Sequence, residues 1–336
     1  MISQNLNHTI HLLEYITHKE YIDINHLKDI CYLNDQTNLK LELDYKLNIG
    51  KNQEKGSNKI NCQANSLVVK VNEFLYYIGD TLVAYLGISS FGANIGEING
   101  MTHPDWRRKG LFKKLFEHAL KECQNRNFSK LLLLSDGNES SGIDFIKAVG
   151  GVYDFSEYRM KQLNNASLEK VNPISLRIAD KSDWKEIARQ NAIYFNDTDI
   201  TYDEPNEADT TSEADVTNEA DATNEADVTN EEDAPNEFTY LAKLNGEIIG
   251  KIKIEFSDSS AFICGFGILP DYRGKGYGKA TLKEALRLIY EKGINQVELD
   301  VECKNNNALN LYKSCGFEEM SVMNYYQYHI INEKFK

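Results

Sequence analysis

The same order of predicted secondary-structure elements occurs twice along this chain, and that repetition limits the folds open to it. In each half a β-hairpin and a further strand lead into a turn with glycine, and a helix, a strand, a short helix and a closing strand follow. The hairpin turns are Gly79-Asp80 and Asn245-Gly246, and both are typical of tight connections between antiparallel strands. Because 336 residues exceed what one core usually holds, we expect two domains, residues 1–165 and residues 174–336.

Apolar periodicity predicts the individual elements. In the first half we expect helices at Asn7–His18, at Asn25–Leu33, from Gly110 to about Arg126 and at Ser140–Ala148, and strands at Leu39–Leu47, Phe74–Ile78, Thr81–Ile88, Glu97–Thr102, Lys130–Leu134 and Gly151–Leu163. In the second half we expect helices at Asp183–Tyr194, Lys279–Lys292 and Asn306–Cys315, and strands at Leu176–Ala179, Phe238–Lys243, Glu247–Phe256, Phe262–Leu269, Gln296–Val301 and Met320–Ile330.

The excess negative charge is confined to one segment. The chain has 51 acidic and 37 basic residues, and residues 203–237 hold 14 of the acidic residues and no Lys or Arg. This segment is a tandem hexapeptide, and a period of six fits neither a helix nor a strand. Its few apolar residues cannot form a core, so we expect a disordered acidic insertion within the second domain. The rest of the chain is balanced in charge, which argues against a nucleic-acid-binding face.

Other features of the sequence limit the class of protein. The first residues show no basic segment followed by an apolar run, and the longest apolar stretches are too short to span a membrane. The six cysteines form no Cys-x-x-Cys pair, so neither a zinc site nor a disulfide framework is expected. We therefore expect a cytoplasmic protein with no metal site, no nucleic-acid partner and no membrane association.

The segment Arg273-Gly-Lys-Gly-Tyr-Gly278 lies between a predicted strand and a predicted helix. Alternating glycines allow backbone N–H groups to point into one concavity, and the start of the helix adds a partial positive charge. Arg273, Lys275 and Lys279 add cationic side chains. The segment therefore predicts a site for a pyrophosphate.

Two other phosphate-binding motifs fit this segment poorly. A P-loop requires glycine, four residues and Gly-Lys-Ser/Thr, but alignment on Gly278-Lys279 places Arg273 at the first glycine and Ala280 at the hydroxyl position. A dinucleotide fingerprint has the spacing Gly-x-Gly-x-x-Gly and a parallel sheet, which the upstream hairpins contradict. A plain tight turn that ends in a glycine cap is the remaining alternative.

A second motif follows in the same half, where Asn305-Asn-Asn-Ala-Leu-Asn-Leu-Tyr-Lys-Ser-Cys-Gly-Phe317 opens a helix after a strand. Together with Ile268–Gly278, this motif resembles the GNAT superfamily of N-acetyltransferases over Leu176–Ile330. The resemblance implies an α/β (α+β) fold of two tandem GNAT-like domains. Each is expected to have a mixed, mostly antiparallel sheet flanked by helices, with a forked strand pair at the acetyl-CoA site.

The resemblance implies acetyl-CoA as co-substrate and an amine as acceptor. It places the pyrophosphate on the glycine turn and the pantetheine arm in the gap between the forked strands. It also gives Tyr312 the role of the acid that protonates the departing CoA thiolate, whereas outside this motif Tyr312 reads as a core aromatic. The cofactor-binding residues it implies in this half are Phe266, Gly267, Ile268, Arg273, Gly274, Lys275, Gly276, Tyr277, Gly278, Lys279 and Asn305.

The general base is left open by the sequence. The strand Ala261–Gly267, which precedes the turn, carries no glutamate, and Glu255, Asp258 or a water chain remain candidates. Cys264 on the same strand is expected to be a small core residue rather than a nucleophile.

The first half resembles a degenerate copy of the same unit. Pro104-Asp-Trp-Arg-Arg-Lys-Gly110 keeps the arginine and one glycine of the turn, but Arg108 replaces the first glycine and Phe112 the last. The cofactor-binding residues that this copy implies are Arg107, Arg108, Lys109 and Gly110.

The second motif of the first half lacks the expected acid. Alignment on Gly150 places Ile146 at the position of Tyr312, so the resemblance implies that the second domain is catalytic. The rival interpretation uses Glu97 or His103 as a base in the first half, and a solvated glutamate at a strand edge is the simpler explanation of Glu97.

Three functions stay open at this point. The one we adopt is an acetyl-CoA-dependent N-acetyltransferase in which a primary amine of a small molecule attacks the thioester directly. The others are a non-catalytic acetyl-CoA-binding or sensor module and a protein lysine or N-terminal acetyltransferase. The duplicated halves fit either a monomer or a homodimer.

The acidic insertion leads to a hypothesis about the acceptor. In the family that the second half resembles, the corresponding region borders the acceptor cleft, and negative charge there concentrates a cationic amine such as a polyamine, an aminoglycoside or a lysine side chain. Deletion of residues 207–236 should then raise the KM for a cationic amine, and added salt should shrink the effect. Unchanged steady-state kinetics on every amine would leave the segment as a tolerated surface expansion.

Overall fold

The computed structural model describes residues 7–57, 70–90, 94–137, 140–163, 173–195, 237–257 and 259–330. The chain divides into two compact units whose segments alternate along the sequence. The first unit comprises Met1–Met160, Val301–Leu309 and Glu319–Lys336, and the second comprises Lys161–Asp300 and Asn310–Glu318. The predicted acidic insertion lies outside the described residues except for Glu237, and the domain ranges 1–165 and 174–336 stay predictions.

The elements follow one another in the order expected from the sequence, with two exceptions given below. Up to residue 162 they are β1 (His8–Leu13), α1 (His18–Asp35), α2 (Leu43–Ser57), β2 (Glu73–Ile78), β3 (Thr81–Ser90), β4 (Ile95–Thr102), α3 (Leu111–Asn125), β5 (Lys130–Asp136), α4 (Ser140–Ala148) and β6 (Val152–Gln162). From residue 174 they are β7 (Ile174–Ile178), α5 (Trp184–Phe195), β8 (Glu237–Leu244), β9 (Glu247–Phe256), β10 (Ser260–Ile268), α6 (Tyr277–Glu291), β11 (Gln296–Glu302), α7 (Asn306–Lys313) and β12 (Phe317–Tyr328).

The sheet of the first unit has the strand order β1-β2-β3-β4-β5-β12-β6. Pairing is antiparallel in β1–β2, β2–β3, β3–β4 and β5–β12. Strands β4 and β5 are parallel, and their pairing runs from Ile95 opposite Lys130 to Ile98 opposite Leu133. Strand β12 reaches this sheet from the end of the chain, where Met323 pairs with Asp136.

The sheet of the second unit has the order β11-β10-β9-β8-β7. Strands β7, β8, β9 and β10 pair antiparallel in succession. Strands β10 and β11 are parallel, from Ser260 opposite Gln296 to Ile263 opposite Leu299. Each unit thus has a mixed, mostly antiparallel sheet with flanking helices, which confirms the predicted fold class.

One helix in each unit covers its sheet through an apolar stripe with helical spacing. In α3 the buried residues are Leu111, Leu115, Phe116, Ala119 and Cys123, and in α6 they include Leu282, Ala285, Leu286 and Ile289. A separate core of the first unit contains Ile24, Leu27 and Cys31 of α1 together with Tyr85 and Met101 of the sheet. Helix α3 follows β4 and helix α6 follows β10 in the chain. Packing of the two stripes on the sheets therefore fixes each helix start near the end of a parallel strand.

The first exception is the segment Asn7–His18, where the prediction of a helix is wrong. His8–Leu13 forms strand β1 and pairs antiparallel with β2. The helix begins only at His18, where Thr17 and Glu20 form a capping box. The apolar residues of this short segment fit either period, and pairing with β2 decides the outcome.

The second exception is Leu39–Leu47, where the prediction of a strand is wrong. Helix α2 begins at Leu43, and the preceding residues form a connection in which Glu42 has a φ of +51°. Leu41, Leu43 and Leu47 are all buried in the core that α1 also contributes to. The alternating leucines therefore anchor a loop and the start of a helix to that core. The same alternation of apolar residues also occurs in strands, so the local pattern does not distinguish the two.

A buried ionic cluster joins α2 to β2 and β3. Lys46 Nζ lies 2.9 Å from Glu73 Oε1 and donates to the Tyr85 hydroxyl at 3.0 Å, and this hydroxyl donates to Glu73 Oε2 at 2.5 Å. Burial raises the pKa of the Glu73 carboxyl, and Lys46 and Tyr85 oppose the increase. A Cβ atom at Gly87 would overlap Lys46 Nζ, so glycine at this position leaves room for the cluster.

Lys46→Met should lower the free energy of unfolding by about 3–5 kcal/mol, because it leaves Glu73 buried without its cation. The double variant Lys46→Met/Glu73→Leu should recover most of that loss, since it removes both charges. Urea unfolding of the three proteins measures the difference.

Lys19→Met serves as the matched control, because Lys19 pairs with Asp23 at 2.8 Å on the surface of α1. Loss of this exposed pair should cost less than about 1 kcal/mol. Equal losses in Lys46→Met and in the double variant would contradict the assignment of Lys46 as the balancing charge.

Candidate active site

In the second unit the parallel strands part just before the glycine turn. Pairing between β10 and β11 reaches Ile263 and Leu299, and β10 then continues to Ile268. Its antiparallel pairing with β9 shifts register between Cys264 and Gly267, which is a β-bulge. The bulge turns backbone groups of β10 away from the sheet, next to the start of the turn.

The glycine turn has the backbone conformation that a phosphate cradle requires. Gly274 and Gly276 have φ values of +72° and +82°, a region that L-residues with side chains avoid. A Cβ atom on either glycine would meet no atom within 4 Å, so both face open space at the start of α6. Backbone N–H groups and the helix start therefore fit a pyrophosphate. Gly278 differs, because it lies inside α6, where its Cβ would contact Leu311 at 3.5 Å.

Two cationic side chains of the turn bind backbone carbonyls near it. Arg273 Nε donates to Ile268 O at 2.7 Å, and Lys275 Nζ donates to Asp271 O at 2.8 Å. Both side chains are exposed, as is Lys279, whereas Tyr277 is half-buried. The exposed cations border the open side of the cradle, where they add positive charge to the site.

Helix α7 carries Tyr312 on its buried face. Tyr312 is 8 % exposed, its ring lies edge-on to Phe317 at 5.9 Å, and burial raises the pKa of its hydroxyl to about 12. The neighbouring Leu311 contacts the site of Gly278 at the start of α6, which brings this part of α7 to the end of the glycine turn. Asn305 has a capping role, because its Oδ1 accepts from Ala308 N at 3.1 Å.

The structure adds Lys251, which the sequence analysis missed. Lys251 on β9 is 4 % exposed, and its Nζ donates to Gly265 O in the bulge at 3.1 Å. Gly265 has a φ of +53°. Burial lowers the pKa of the Lys251 amine to about 8. A lysine in a strand pattern gives no signal of its partner, since the bulge that it binds lies on the neighbouring strand.

Tyr194 at the end of α5 forms a wall against Gly267. A Cβ on Gly267 would overlap the Tyr194 ring, and the Tyr194 hydroxyl donates to Gln190 Oε1 at 2.9 Å. The Arg273 guanidinium lies 5.9 Å from the centre of the same ring. Gly267 therefore permits the close approach of α5 to the strand that precedes the turn.

The candidate bases of the second unit differ in their surroundings. Glu255 accepts from Cys264 Sγ at 3.4 Å and lies 3.4 Å from Lys253 Nζ. Burial raises the pKa of the Cys264 thiol to about 12, which keeps the thiol protonated. Asp258 lies outside the described residues.

The turn of the first unit repeats the conformation of the second. Arg108 has a φ of +62° and Gly110 one of +76°, which correspond to Gly274 and Gly276. Arg107 Nε donates to Thr102 O at 3.1 Å, as Arg273 does to Ile268 O. The carboxylate of Asp35 at the end of α1 also binds the Arg107 guanidinium, and this arginine holds the pKa of Asp35 below its usual range.

A cavity of about 480 Å³ lies where β4 and β5 diverge in the first unit. It extends from Arg107, Arg108 and Gly110 of the turn to Asp136 at the end of β5. The ring of Phe112, which replaces Gly278, lies against Gly100 of β4 and forms part of the wall. Lys109 instead lies over the Trp106 ring, with its Nζ 4.2 Å from the ring centre.

The two alternative bases of the first unit have defined contacts. His103 Nδ1 accepts from Asp105 N at 3.2 Å, so its ring caps the short turn that follows β4. Glu97 lies near Tyr325, whose pKa is raised by burial and further by Glu157 and Glu97. The Tyr325 hydroxyl donates to Glu157 Oε2 at 2.5 Å. Glu97 is half-buried, and its strand β4 is paired on both sides, with β3 and with β5, so Glu97 does not lie on an edge strand.

Within the described ranges of the chain, no helix is long and apolar enough to cross a membrane. No group of three or more His, Cys, Asp or Glu side chains there could hold a metal ion.

The sequence profile of the Acetyltransferase (GNAT) family matches residues 48–150 and 201–317. These two stretches make up more than half of the chain, and the chain therefore belongs to the GNAT acetyltransferase family. One match falls in each half, which confirms the predicted resemblance and its duplication.

The curated relatives match part of their own length. An N-alpha-acetyltransferase of Sulfurisphaera tokodaii is 30 % identical over 100 residues, which are 26 % of this chain and 60 % of the relative. A ribosomal protein bS18 alanine N-acetyltransferase of Haemophilus influenzae is 35 % identical over 83 residues, 24 % of this chain and 56 % of the relative. The chain thus spans less than two thirds of either relative.

Solved structures resemble the whole chain. A GCN5-related N-acetyltransferase from Sphaerobacter thermophilus superposes with a TM-score of 0.64 at 15 % identity, over 96 % of each chain. A tandem GNAT protein from the clavulanic acid biosynthesis pathway superposes with a TM-score of 0.56 at 14 % identity, over 96 % of this chain and 99 % of that one. At such identities the likeness shows the fold, and the second structure shows the same tandem arrangement.

The buried Lys251 should make stability depend on pH. Its pKa is about 8 in the folded chain and 10.5 in an unfolded chain, so between these values the unfolded state binds one more proton and stability rises with pH. The unfolding free energy of the wild type relative to Lys251→Met should therefore rise by about 3 kcal/mol across this window. Urea unfolding at a series of pH values measures it.

Lys253→Met is the control, because Lys253 lies two positions along the same strand. Burial lowers the pKa of Lys253, but its ion pair with Glu237 at 2.5 Å outweighs burial and raises the pKa. The contribution of Lys253 to the free energy of unfolding should therefore change little over the same pH range. If the difference in unfolding free energy between the wild type and Lys251→Met also did not change with pH, Lys251 would keep its charge in the folded chain.

Proposed function

We propose that this chain is an acetyl-CoA-dependent N-acetyltransferase that transfers an acetyl group to a primary amine of a small molecule, with catalysis in the second unit. The observation that supports this most strongly is the combination, within one unit, of a bulged strand, an open glycine turn and the buried Tyr312. The names of the curated relatives, which are N-acetyltransferases, support the same reaction class.

The residues of the turn are proposed to hold the co-substrate. The N–H groups of Gly274 and Gly276 and the start of α6 bind the pyrophosphate, and the exposed cations Arg273, Lys275 and Lys279 neutralise its charge. The freed backbone of β10 at Phe266–Ile268 binds the pantetheine arm. The homologous turn, Arg107–Gly110, is proposed as a second pyrophosphate site in the first unit.

Acetyl-CoA supplies an activated thioester, and the protein supplies orientation and protons. The N–H groups of the β10 bulge stabilise the negative charge that develops on the thioester oxygen. The amine nitrogen forms the new bond to the acetyl carbon, and the bond to sulfur breaks. The proton that the amine loses passes to the base, for which Glu255, Asp258 and a water chain are the candidates.

Tyr312 is proposed as the proton donor for the leaving sulfur. Because burial raises the pKa of Tyr312 to about 12, the hydroxyl carries its proton throughout the neutral pH range. The same low-polarity surroundings disfavour an unprotonated thiolate, so the proton moves from the Tyr312 oxygen to the sulfur as the carbon–sulfur bond breaks, and the negative charge passes to the tyrosine oxygen. Tyrosinate then regains a proton from water.

A protein N-terminal acetyltransferase is the second candidate. It is favoured by the curated relatives, since the two named above act on an N-alpha amine and on an alanine of a ribosomal protein by their names. Activity on peptides with a free N-terminus that exceeds activity on small amines would favour this candidate.

Tyr312→Phe should lower kcat by about 100-fold or more, because it removes the general acid but keeps the ring. The affinity for acetyl-CoA, measured by calorimetry, should stay at the wild-type value. A variant with unchanged turnover would exclude Tyr312 as the acid. An absence of saturable acetyl-CoA binding in the wild type would sink the proposal as a whole.

Two control variants separate chemistry from binding. Tyr290 lies on α6, and its buried hydroxyl has no hydrogen-bond partner. Tyr290→Phe therefore removes another buried hydroxyl and should leave turnover unchanged. Gly276→Val forces a branched residue into the left-handed region and should weaken acetyl-CoA binding by about tenfold or more. Two calorimetric sites in the wild type would assign one to each turn.

A further inference from the structure

The bulge of β10 contains two residues, Gly265 and Phe266. They lie opposite a single residue of β9, Ile252, because the register of the two strands shifts at this point. Pairing of β10 with the parallel strand β11 ends just before the bulge, at Ile263. The peptide group that joins Gly265 to Phe266 therefore lies where the two parallel strands part.

A buried side chain binds the carbonyl end of this peptide group. Lys251 Nζ donates to Gly265 O at 3.1 Å, and Lys251 is 4 % exposed. An ammonium group that is shielded from water interacts more strongly with a carbonyl dipole than an exposed one does. Lys251 therefore holds this peptide group in one orientation and draws electron density toward its oxygen.

The other end of the same peptide group is the N–H of Phe266. The peptide bond between Gly265 and Phe266 is trans, and in a planar trans peptide group the C=O and N–H bonds point in opposite directions. The Phe266 N–H therefore points away from Lys251. Resonance couples the two ends of the group, so a cation at the oxygen withdraws electron density from the nitrogen. The Phe266 N–H thereby becomes a stronger hydrogen-bond donor.

We propose that Lys251 is a positioning residue for acetyl transfer, which acts through this peptide group by orienting the Phe266 N–H toward the thioester oxygen and strengthening it as a donor. The inference rests on the proposed function, in which N–H groups of the bulge stabilise the charge that develops on that oxygen. Burial disfavours an ammonium group, and the effect on the Phe266 N–H gives this unfavourable burial a role in the reaction.

The charge of Lys251 decides when the effect is present. Burial lowers the pKa of Lys251 to about 8, so the ammonium form is present below this pH and is lost as the pH rises through it. The polarisation of the Gly265–Phe266 peptide group should follow the same titration.

The titratable groups near Lys251 keep their charge states around this pH. Burial raises the pKa of the Cys264 thiol on β10 to about 12 and also raises the pKa of the Tyr194 hydroxyl on α5, so both keep their protons. Burial lowers the pKa of Lys253, but its ion pair with Glu237 on β8 outweighs burial and raises the pKa. Lys253 Nζ also lies 3.4 Å from Glu255 on the same strand. A transition near pH 8 in the bulge therefore reports on Lys251.

The first test measures the Phe266 amide signal by NMR in the full chain without a ligand. Phenylalanine follows glycine at two places, Gly265-Phe266 and Gly316-Phe317, so ¹³C at glycine carbonyls and ¹⁵N at phenylalanine select two amide signals. Phe266→Leu removes one signal and thereby identifies it. The Phe266 amide should move upfield as the pH rises, with a midpoint of about 8, because loss of the Lys251 charge returns electron density to the nitrogen. The Phe317 signal should not follow this titration.

Two variants of the same strand complete the test. Lys251→Met should abolish the transition of the Phe266 amide. Lys253→Met is the matched control and should keep the transition with a slightly higher midpoint, because the charge of Lys253 lowers the pKa of Lys251. Urea unfolding shows which variants are folded, and the wild-type titration alone decides the question if Lys251→Met does not fold.

The second test measures the effect on the thioester, with acetyl-CoA that carries ¹³C at its carbonyl. A stronger donor lowers the infrared stretching frequency of the bound carbonyl, so at neutral pH this frequency should be lower in the wild type than in Lys251→Met. The difference should shrink above a pH of about 8. A second molecule bound in the first unit contributes equally to both spectra. The calorimetric affinity for CoA, which lacks the acetyl group, should be the same in both proteins.

Two outcomes would overturn this proposal alone. One is a Phe266 amide in the wild type that does not shift as the pH passes the pKa of Lys251, and the other is an equal carbonyl frequency in the wild type and Lys251→Met at neutral pH. An absence of saturable acetyl-CoA binding in the wild type would instead overturn the proposed function and this inference together. The two failures are therefore distinguishable.

Discussion

Two parallel strands that part in mid-sheet leave backbone groups without their ladder partners, and both units of this protein are organised around that requirement. Buried N–H and C=O groups must be paired. In the first unit the Arg107 side chain binds the carbonyl of Thr102, the last residue of β4, and in the second Arg273 binds that of Ile268, the last residue of β10. The arginine of each turn therefore pairs the carbonyl group at the end of a diverging strand. This explains why the arginine survives in the first turn although the glycine after it does not.

The two units have used the same gap differently. In the second unit the strand bulges, glycine occupies both left-handed positions of the turn, and Tyr312 is buried on the helix whose Leu311 contacts the start of α6. In the first unit Arg108 occupies a left-handed position, β4 pairs with β3 in unbroken register, and Phe112 narrows the gap against Gly100. The first unit thereby has a walled cavity with a few polar groups, whereas the second has an open glycine turn after a bulged strand. The same strand-and-turn arrangement therefore has different surroundings in the two units.

Much of this architecture can be predicted from local sequence. The elements that cannot be predicted in this way depend on contacts between residues that are distant in the sequence. Both turns, both hairpins and the helices α3, α6 and α7 follow from glycine placement and apolar periodicity, which act over a few residues. The helix expected at Asn7–His18 and the strand expected at Leu39–Leu47 are wrong because distant partners decide those segments. Likewise, the backbone N–H of Asn38 donates to the Asp136 carboxylate, although the two positions are separated by 98 residues. Lys251 is buried against a bulge of the next strand. No pattern within a window reports such contacts.

The position of β12 in the first sheet has a consequence for synthesis. Strand β5 leaves the ribosome long before Met323–Tyr328, its partner on one side, and translation proceeds at about 5–20 residues per second. The edge of β5, with Leu131–Leu134 in its hydrophobic stretch, therefore waits for about ten seconds or more with its backbone unpaired. The sheet that is synthesised first is therefore the last to be completed. A nascent chain of this kind needs chaperones or rapid translation to avoid pairing of the free β5 edge with another chain.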